Sequence, residues 1–479
     1  MRTSILTTAV LLSACVPKST PDTSWRKATP EPLAPRAFQL PEAQTGTLSN
    51  GLSVSVVENH EVPLVNIRIA FDQGSWTDSA DEIGLASVTM DMLNEGAGEY
   101  DAAGISKAAK AIAANISTGA GADSAYVSLN VLSKNLEAGL DLMATVLLQP
   151  TFEQDDWDIM LMDRVASLAS SRNNPSSMAG RAGSRLRYGN DYKGQLRSEE
   201  AYQAITTEAM SEWAKTHLTP GNARIYVGGD TTLEDVQPLL EARLGTWAGD
   251  VTENEYPSTV LPNVETTTIF LVDKPGAPQS VLRVFRRLDL NQLSDDWFDV
   301  YMANMMYGGM FSSRLNLNLR EEKGWTYGAR SGVSVDYTNA VWTASSSVKT
   351  DTTADSISEI LREVREAGTS RVFTQVELDN ARGYLLGSRP VRYENAGRLL
   401  SELQSGWLYN LPDDWTVTFA DNIRNVTLES AQAAWTKHVL IPELSILVVG
   451  DKATISEGLA GLELPIVHLD SDGNRLEEK

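Results

Sequence analysis

Cysteine is nearly absent from this sequence. Cys15 is the single one in 479 residues, so no disulfide can close within the chain and no cysteine-based zinc cage can be built. Histidine is scarce as well: His60, His217, His438 and His468 leave little material for a histidine-rich metal site. Positive charge is outweighed, with 40 Lys and Arg against 63 Asp and Glu, a formal net charge of -23. A surface that acidic repels phosphate backbones and anionic lipid headgroups, which excludes nucleic-acid binding as a main role. No apolar run reaches the roughly 20 residues that a membrane-spanning helix needs. What is present is ordinary globular composition, 42% hydrophobic and 22% charged. The length exceeds what one core usually serves, so two or more domains are expected.

The cysteine sits at an informative place. Met1-Arg2 gives a basic start, Ile5 to Leu12 is a short apolar run, and Leu12-Ser13-Ala14-Cys15 follows. That run is too short to span a bilayer but suits a secretory signal, and Leu-Ser-Ala-Cys resembles a bacterial lipobox. The expectation is a lipoprotein signal peptide over 1–14, lipidation at Cys15, and a place in the bacterial cell envelope. Val16 rather than aspartate follows the cysteine, which points to the outer membrane, facing the periplasm. Pro17, Pro21, Pro30, Pro32, Pro35 and Pro41 then mark 15–45 as an extended tether. At the other end, 469–479 reads as a polar, acidic, disordered tail.

Between these ends the pattern of elements runs twice. Leu52 to Glu58 and Leu64 to Asp72 have the alternation of strands, joined through a turn at Pro63. Ser133 is a candidate N-cap for a helix with Leu136, Leu140, Met143 and Leu147 on one face. Ala223 to Gly228 reads as a strand and Thr232 to Leu244 as a helix. The turn-rich stretch 249–265 is the linker candidate. Strands return at Thr266 to Asp273 and Gln279 to Phe285, helices fill most of Asp355 to His438, and Leu444 to Gly450 is a strand. Residues 205–230 align without gaps on 426–451, with the pairs Thr206/Thr427, Glu208/Glu429, His217/His438, Ile225/Ile446, Val227/Val448, Gly229/Gly450 and Asp230/Asp451 identical. An internal duplication of an α+β unit follows. It gives two halves, 46–248 and 266–468. His217 and His438 then each end a helix before a strand, a place for bonding terminal carbonyls rather than for ligating metal.

Three motifs, in order, carry a family resemblance. Gly84-Leu85-Ala86-Ser87-Val88-Thr89-Met90-Asp91-Met92-Leu93-Asn94-Glu95-Gly96 resembles the zinc helix of the pitrilysin/insulinase family of metallopeptidases, Gly-Leu-Ala-His-x-x-Glu-His-Met-Leu-x-x-Gly. Leu271 to Ser280 is similar to the segment opening that family's second half. Phe311-Ser312-Ser313-Arg314-Leu315, continuing through Leu319-Arg320-Glu321-Glu322-Lys323-Gly324-Trp325-Thr326-Tyr327, is the strongest match. The resemblance spans about Thr45 to Ala460. It implies an α+β fold of two homologous α/β-sandwich halves of the LuxS/MPP-like metallohydrolase type, closing as a clam-shell with a partner chain.

The chemistry of the active members is missing at the matching positions. Two histidines at i and i+4 on one helical face hold zinc there, and a glutamate between them activates the bound water. Here those positions hold Ser87, Met90 and Asp91. The later helix that should add a glutamate near Ala166-Ser167 reads Asp163-Arg164-Val165-Ala166-Ser167, without a carboxylate at that place. A serine, a methionine and one aspartate do not hold zinc against water. Asp91 and Glu95, at i and i+4, read as a solvated face, and Asp78, Asp81 and Glu82 as acidic partners of the helix N-terminus. By the same resemblance Arg320 and Tyr327 bind the substrate carbonyl or oxyanion, facing a zinc centre of the other half or of a partner, with Gly324 turning the chain between them. The bland alternative pairs Arg320 with a surface acid and packs Tyr327 under a sheet.

The sequence therefore leads to a non-catalytic subunit, a pseudoenzyme half, of a heterodimeric periplasmic zinc metallopeptidase. It binds no cofactor itself. Zinc is expected on a homologous partner, and unfolded peptides are the substrates. The alternative is a stand-alone peptide-binding envelope lipoprotein, chaperone-like or a scaffold, that grips peptides by strand addition.

Overall fold

The alternating runs near the start do become strands, but not a hairpin. In the computed structural model, which describes Arg26 and residues 40–252, 263–335, 340–394, 396–440 and 442–477, the strands of the first half are β1 (Gln44–Thr47), β2 (Ser53–Glu58), β3 (Leu64–Phe71), the short pair β4 (Gly96–Ala97) and β5 (Tyr100–Asp101), β6 (Asn115–Ala120), β7 (Ala125–Leu132) and β8 (Ala223–Gly229). The expected signal peptide, Cys15, most of the expected tether and most of the expected linker fall outside the described residues. The fold below belongs to the unit that begins at Leu40.

β8 slips between the two early strands. The sheet runs β1-β2-β8-β3-β7-β6, with β2 parallel and β3 antiparallel to β8. The second half repeats this with β9 (Thr268–Asp273), β10 (Gln279–Leu288), β11 (Thr326–Val335), β12 (Ala340–Lys349), β13 (Ser445–Gly450) and β14 (Ile466–Leu469), in the order β11-β12-β10-β13-β9-β14. Again the late strand β13 lies between the two early ones, parallel to β9 and antiparallel to β10. The outer strand beside the parallel pair differs. β1 arrives from the N-terminal side and runs antiparallel, whereas β14 arrives from the C-terminal side and runs parallel. The two α+β halves with mixed sheets are those the duplication implies.

Each sheet buries one face under its own helices. Val54, Val56, Ile67, Ile69, Leu129 and Ile225 meet Met90, Met143 and Leu240 in the first core. Ile269, Leu282, Val284, Trp342 and Ile446 meet Met306, Ile360 and Trp435 in the second. The other faces are covered by exchange. The Pro175–Tyr188 helix of the first half lays Met178, Ala179 and Ala182 on Phe270, Val272, Leu447 and Val449 of the second sheet. The Ala396–Leu408 helix of the second half lays Leu399 and Leu400 on Val57, Ala70 and Tyr226 of the first. Burying small and aliphatic side chains at such a face stabilises it by about 25 cal/mol per Å² removed from water. Both halves are thus tied to each other by packing as well as by sequence.

Local expectations met three corrections. Ser133 does not cap the Leu136–Leu148 helix; it lies in a preceding 3₁₀ turn and its hydroxyl donates to Asp230 at 2.6 Å. His217 and His438 do not bond terminal carbonyls. His217 Nδ1 lies 2.8 Å from Gln73 Oε1, and His438 Nε2 lies 2.6 Å from Asp296, so each pins its helix end to a loop segment, the one after β3 in the first half and the one after β10 in the second. Burial lowers the His217 pKa to about 4, which keeps it neutral. The tail is folded through residue 477: Leu469 bridges Arg475, and Asp472 accepts from Arg172 and Arg181 at 2.9 and 2.7 Å. Composition alone hides this, because the acidic residue finds its arginines in the other half. Among the described residues no helix is long and apolar enough to cross a membrane.

Candidate functional site

The helix that should carry the metal starts at a glycine and ends eight residues later, Leu85–Met92. Gly84 has φ +104°, a left-handed conformation that glycine takes without strain. Asp78 accepts from the Gly84 and Ala86 amides at 2.8 and 2.9 Å, satisfying two orphan donors of the helix start. Burial pushes the Asp78 carboxyl up to about 6, with Arg197 opposing and Glu82 adding to the shift. Asp78 is therefore a capping group and not merely a dipole partner.

Helical spacing then decides which positions face the core. Met90, where the family has its glutamate, is fully buried and packs in the first core. Ser87 and Asp91, one turn apart beside it, are half-buried. Asp91 opens into a pocket of about 600 Å³ with Asn94, Glu95, Asp156, Asp163, Arg164 and Ser167 among its lining. Ser87, one turn earlier, is outside that lining. Ser167, near the place of the missing glutamate, does reach it, so the helix Gln154–Ser171 stands where the resemblance requires.

What occupies the metal's role is a guanidinium. Arg164 donates to Asp91 and forms an ion pair with it. A positive charge held by the side chain at the second-histidine position balances it from within the protein. The donor set does not fit zinc: one serine, one buried thioether, one carboxylate already paired, and a serine in place of the third ligand. Among the described residues no group of three or more His, Cys, Asp or Glu side chains is placed to hold a metal ion.

Asp91 and Glu95 are not a solvated face. Burial raises the Asp91 carboxyl above its ordinary range in spite of Arg164, and Glu95 is raised by burial first and by Asp156 and Asp91 next. These shifts come from desolvation and like charge. With Asp91 committed to Arg164, they do not set an acid and a base across a reacting atom.

The second half presents the other candidate pair. Arg320 lies in the π-helical turn Leu317–Glu322 and Tyr327 at the start of β11. Gly324 between them has φ +64°, and the amides of Gly324 and Trp325 return to the Arg320 and Leu319 carbonyls at 3.1 and 3.0 Å. Tyr327 is 90% exposed, so it does not pack under the sheet. The Arg320 side chain is 39% exposed, pairs with Glu321 at 3.2 Å, and its guanidinium lies 4.7 Å from the Phe311 ring centre. Phe311 itself is exposed. An arginine steadied on an aromatic face beside an outward phenol is a ready hydrogen-bonding pair for a carbonyl.

Sequence reasoning missed Arg164 and Phe311. Arg164 lies one helical turn before Ser167, and that i, i+3 spacing was the available signal. Arg314, within the strongest motif, is structural: it pairs with Glu377 and donates to the Arg371 and Val372 carbonyls.

Comparison with known proteins agrees with this geometry. The family described as "Insulinase (Peptidase family M16)" matches residues 53–177, and "Peptidase M16 inactive domain" matches 204–385. A Helicobacter pylori protein named "Non-peptidase homolog YmxG" is 23% identical over 405 residues, 82% of this chain and 91% of that one. A solved peptidase M16 inactive domain from Pseudomonas fluorescens superposes with a TM-score of 0.76 at 24% identity, covering 85% of this chain and 98% of that one. The periplasmic protease PqqL from Escherichia coli superposes with a TM-score of 0.71 at 14% identity, over 88% of this chain but 49% of its own length. With the two family matches in chain order and together spanning most of the folded chain, the chain belongs to the insulinase (M16) peptidase family.

Proposed function

We propose that this chain is the non-catalytic subunit of a heterodimeric zinc metallopeptidase, held in the periplasm by a lipid on Cys15. It closes the chamber and offers Arg320 and Tyr327 to a substrate bound at a zinc-bearing homologous partner. The single observation that carries the reading is the asymmetry of the two candidate sites: in the first half Asp91, at the place of a zinc ligand, is taken up by Arg164, whereas Tyr327 is 90% exposed beside Arg320. A chain whose own zinc positions are replaced has no use for an exposed phenol of its own, but a partner's active site does. The 49% coverage of PqqL supports it, since a chain of this size then corresponds to half of a single-chain protease. The name "non-peptidase homolog" of the H. pylori relative is in keeping with an inactive chain.

The test uses the complex isolated with its zinc-bearing partner. Arg320→Ala and Tyr327→Phe are each expected to lower peptide turnover by about 100-fold, as removal of an oxyanion donor does, with complex formation unchanged. Full turnover in the Arg320→Ala complex contradicts the reading.

One observation favours the alternative of stand-alone peptide binding. β6 is the outermost strand of its sheet, and Ile116, Ser117 and Thr118 on it line the Asp91 pocket. An extended peptide adds to such an edge through backbone bonds alone. Peptide binding by the isolated chain that is unaffected by both Arg320→Ala and Tyr327→Phe selects this alternative.

A further inference from the structure

The second sheet has a face that its own helices leave open. The Pro175–Tyr188 helix covers β10 and β13 on that side, and β12 and β11 remain outside its cover. The result is a groove of about 710 Å³, lined by Ser176 and Arg187 of the helix, Arg283 of β10, hydroxyls of β12, and Arg330 and Ser334 of β11. The ladder places two of these cations in one row. Arg283 pairs in register with Ser345, and Ser345 with Arg330. Adjacent strands are about 5 Å apart, so the row sets the Cα atoms of the two arginines about 10 Å apart with a serine between them. Arg187 joins at the helix side: its Nε donates to the Gly183 carbonyl at 2.9 Å, and Arg283 Nη1 lies 3.5 Å from where a Cβ on Gly183 would be.

No carboxylate lines the groove, and among the described residues neither the Arg283 nor the Arg330 side chain has an ion pair or a hydrogen bond. That is unexpected in a chain with 63 acidic residues. Guanidinium stays charged in proteins, so a half-buried one costs free energy until an anion meets it. Burial and the neighbouring Arg187 both act against the Arg283 charge. A structural role would pair these arginines internally, as Arg164, Arg314 and Arg362 are paired.

We propose that this groove binds an acidic peptide segment, with carboxylates held by Arg283 and Arg330 and the backbone flanked by the β12 hydroxyls. Guanidinium and carboxylate match in a two-pronged geometry. The backbones that carry the two arginines stand about 10 Å apart, and on a polyproline-like extended chain residues three apart lie on one side about 9 Å apart, so two carboxylates of one segment can face both guanidinium groups. The proposal draws on the peptide-handling role only for the identity of the occupant. Its test reads this chain alone, so loss of the subunit reading leaves it standing.

The test is fluorescence anisotropy on the full chain with a labelled glutamate-rich peptide and its glutamine counterpart. The glutamate peptide is expected to bind at least about tenfold more tightly, an advantage that shrinks with added salt. Arg330→Gln, an exposed change with no partner to lose, is expected to remove that advantage while the glutamine peptide and the melting temperature stay unchanged. Equal affinity for both peptides, or an Arg330→Gln variant that still prefers glutamate, overturns the proposal. Binding of inorganic phosphate that Arg330→Gln abolishes, without binding of the glutamate peptide, overturns the peptide assignment too.

Discussion

Asp91 and Arg164 show how one substitution settles a site. An aspartate where zinc would need a histidine is an unbalanced half-buried charge, and an arginine on the facing helix supplies the balance. Arg164→Ala is expected to cost about 1–2 kcal/mol of stability, read by chemical denaturation, with part of it recovered in Arg164→Ala/Asp91→Asn. The same pair must be undone before a metal can return. Ser87→His/Met90→Glu/Asp91→His alone should bind zinc weakly, and adding Arg164→Gln and Ser167→Glu should tighten it by about 100-fold in a competition titration. Asp78 gives a pH signature at the same scale. Its carboxyl is raised from 3.8 to about 6, so the folded state holds the proton more tightly than the unfolded one. Its contribution is fully present below pH 3.8 and is lost as pH rises through 6. The stability of the wild type relative to Asp78→Asn should therefore fall by about 2–3 kcal/mol between pH 4 and 7 in denaturation curves.

At the scale of elements, the exchanged helices join the halves. Met178 and Leu400 are buried in the two exchanged contacts. Truncation of either to alanine is expected to cost about 2–5 kcal/mol. Because each helix is covalently part of one half and packed on the other, circular dichroism and tryptophan fluorescence should report coincident unfolding in the wild type. Separate transitions by the two probes would show that the exchange does not couple the halves. Much of this level was legible from patterning. The strands at Ser53–Glu58 and Leu64–Phe71, the Leu136–Leu148 helix face and the repeat at 205–230 and 426–451 follow from periodicity and from matching residues. What was not legible is contact between distant residues. The insertion of β8 between β2 and β3, the exchange of helices, and the arginines that order Asp472 all depend on partners over a hundred residues away, which local propensity does not encode. The zinc positions could be read because the resemblance supplied the template. Arg164 was legible only as the residue one helical turn before Ser167; its pairing with Asp91 was not, because nothing in that template calls for a cation.

At the scale of the molecule, two halves of the same architecture have taken different courses. The first keeps the helix and pocket of a metal site and fills them with an internal ion pair; the second keeps an arginine and an exposed tyrosine around a glycine turn. On the reading proposed above, the features of the two halves act together across an interface with a zinc-bearing chain. The measurement that tests this most directly is native mass spectrometry, with zinc quantified, on the protein isolated from its own envelope. The account predicts a second chain of similar mass in equal amount, carrying about one zinc, which stays with the partner when the two are separated. Zinc bound to this chain, or a zinc-free monomer with no second chain, would contradict it.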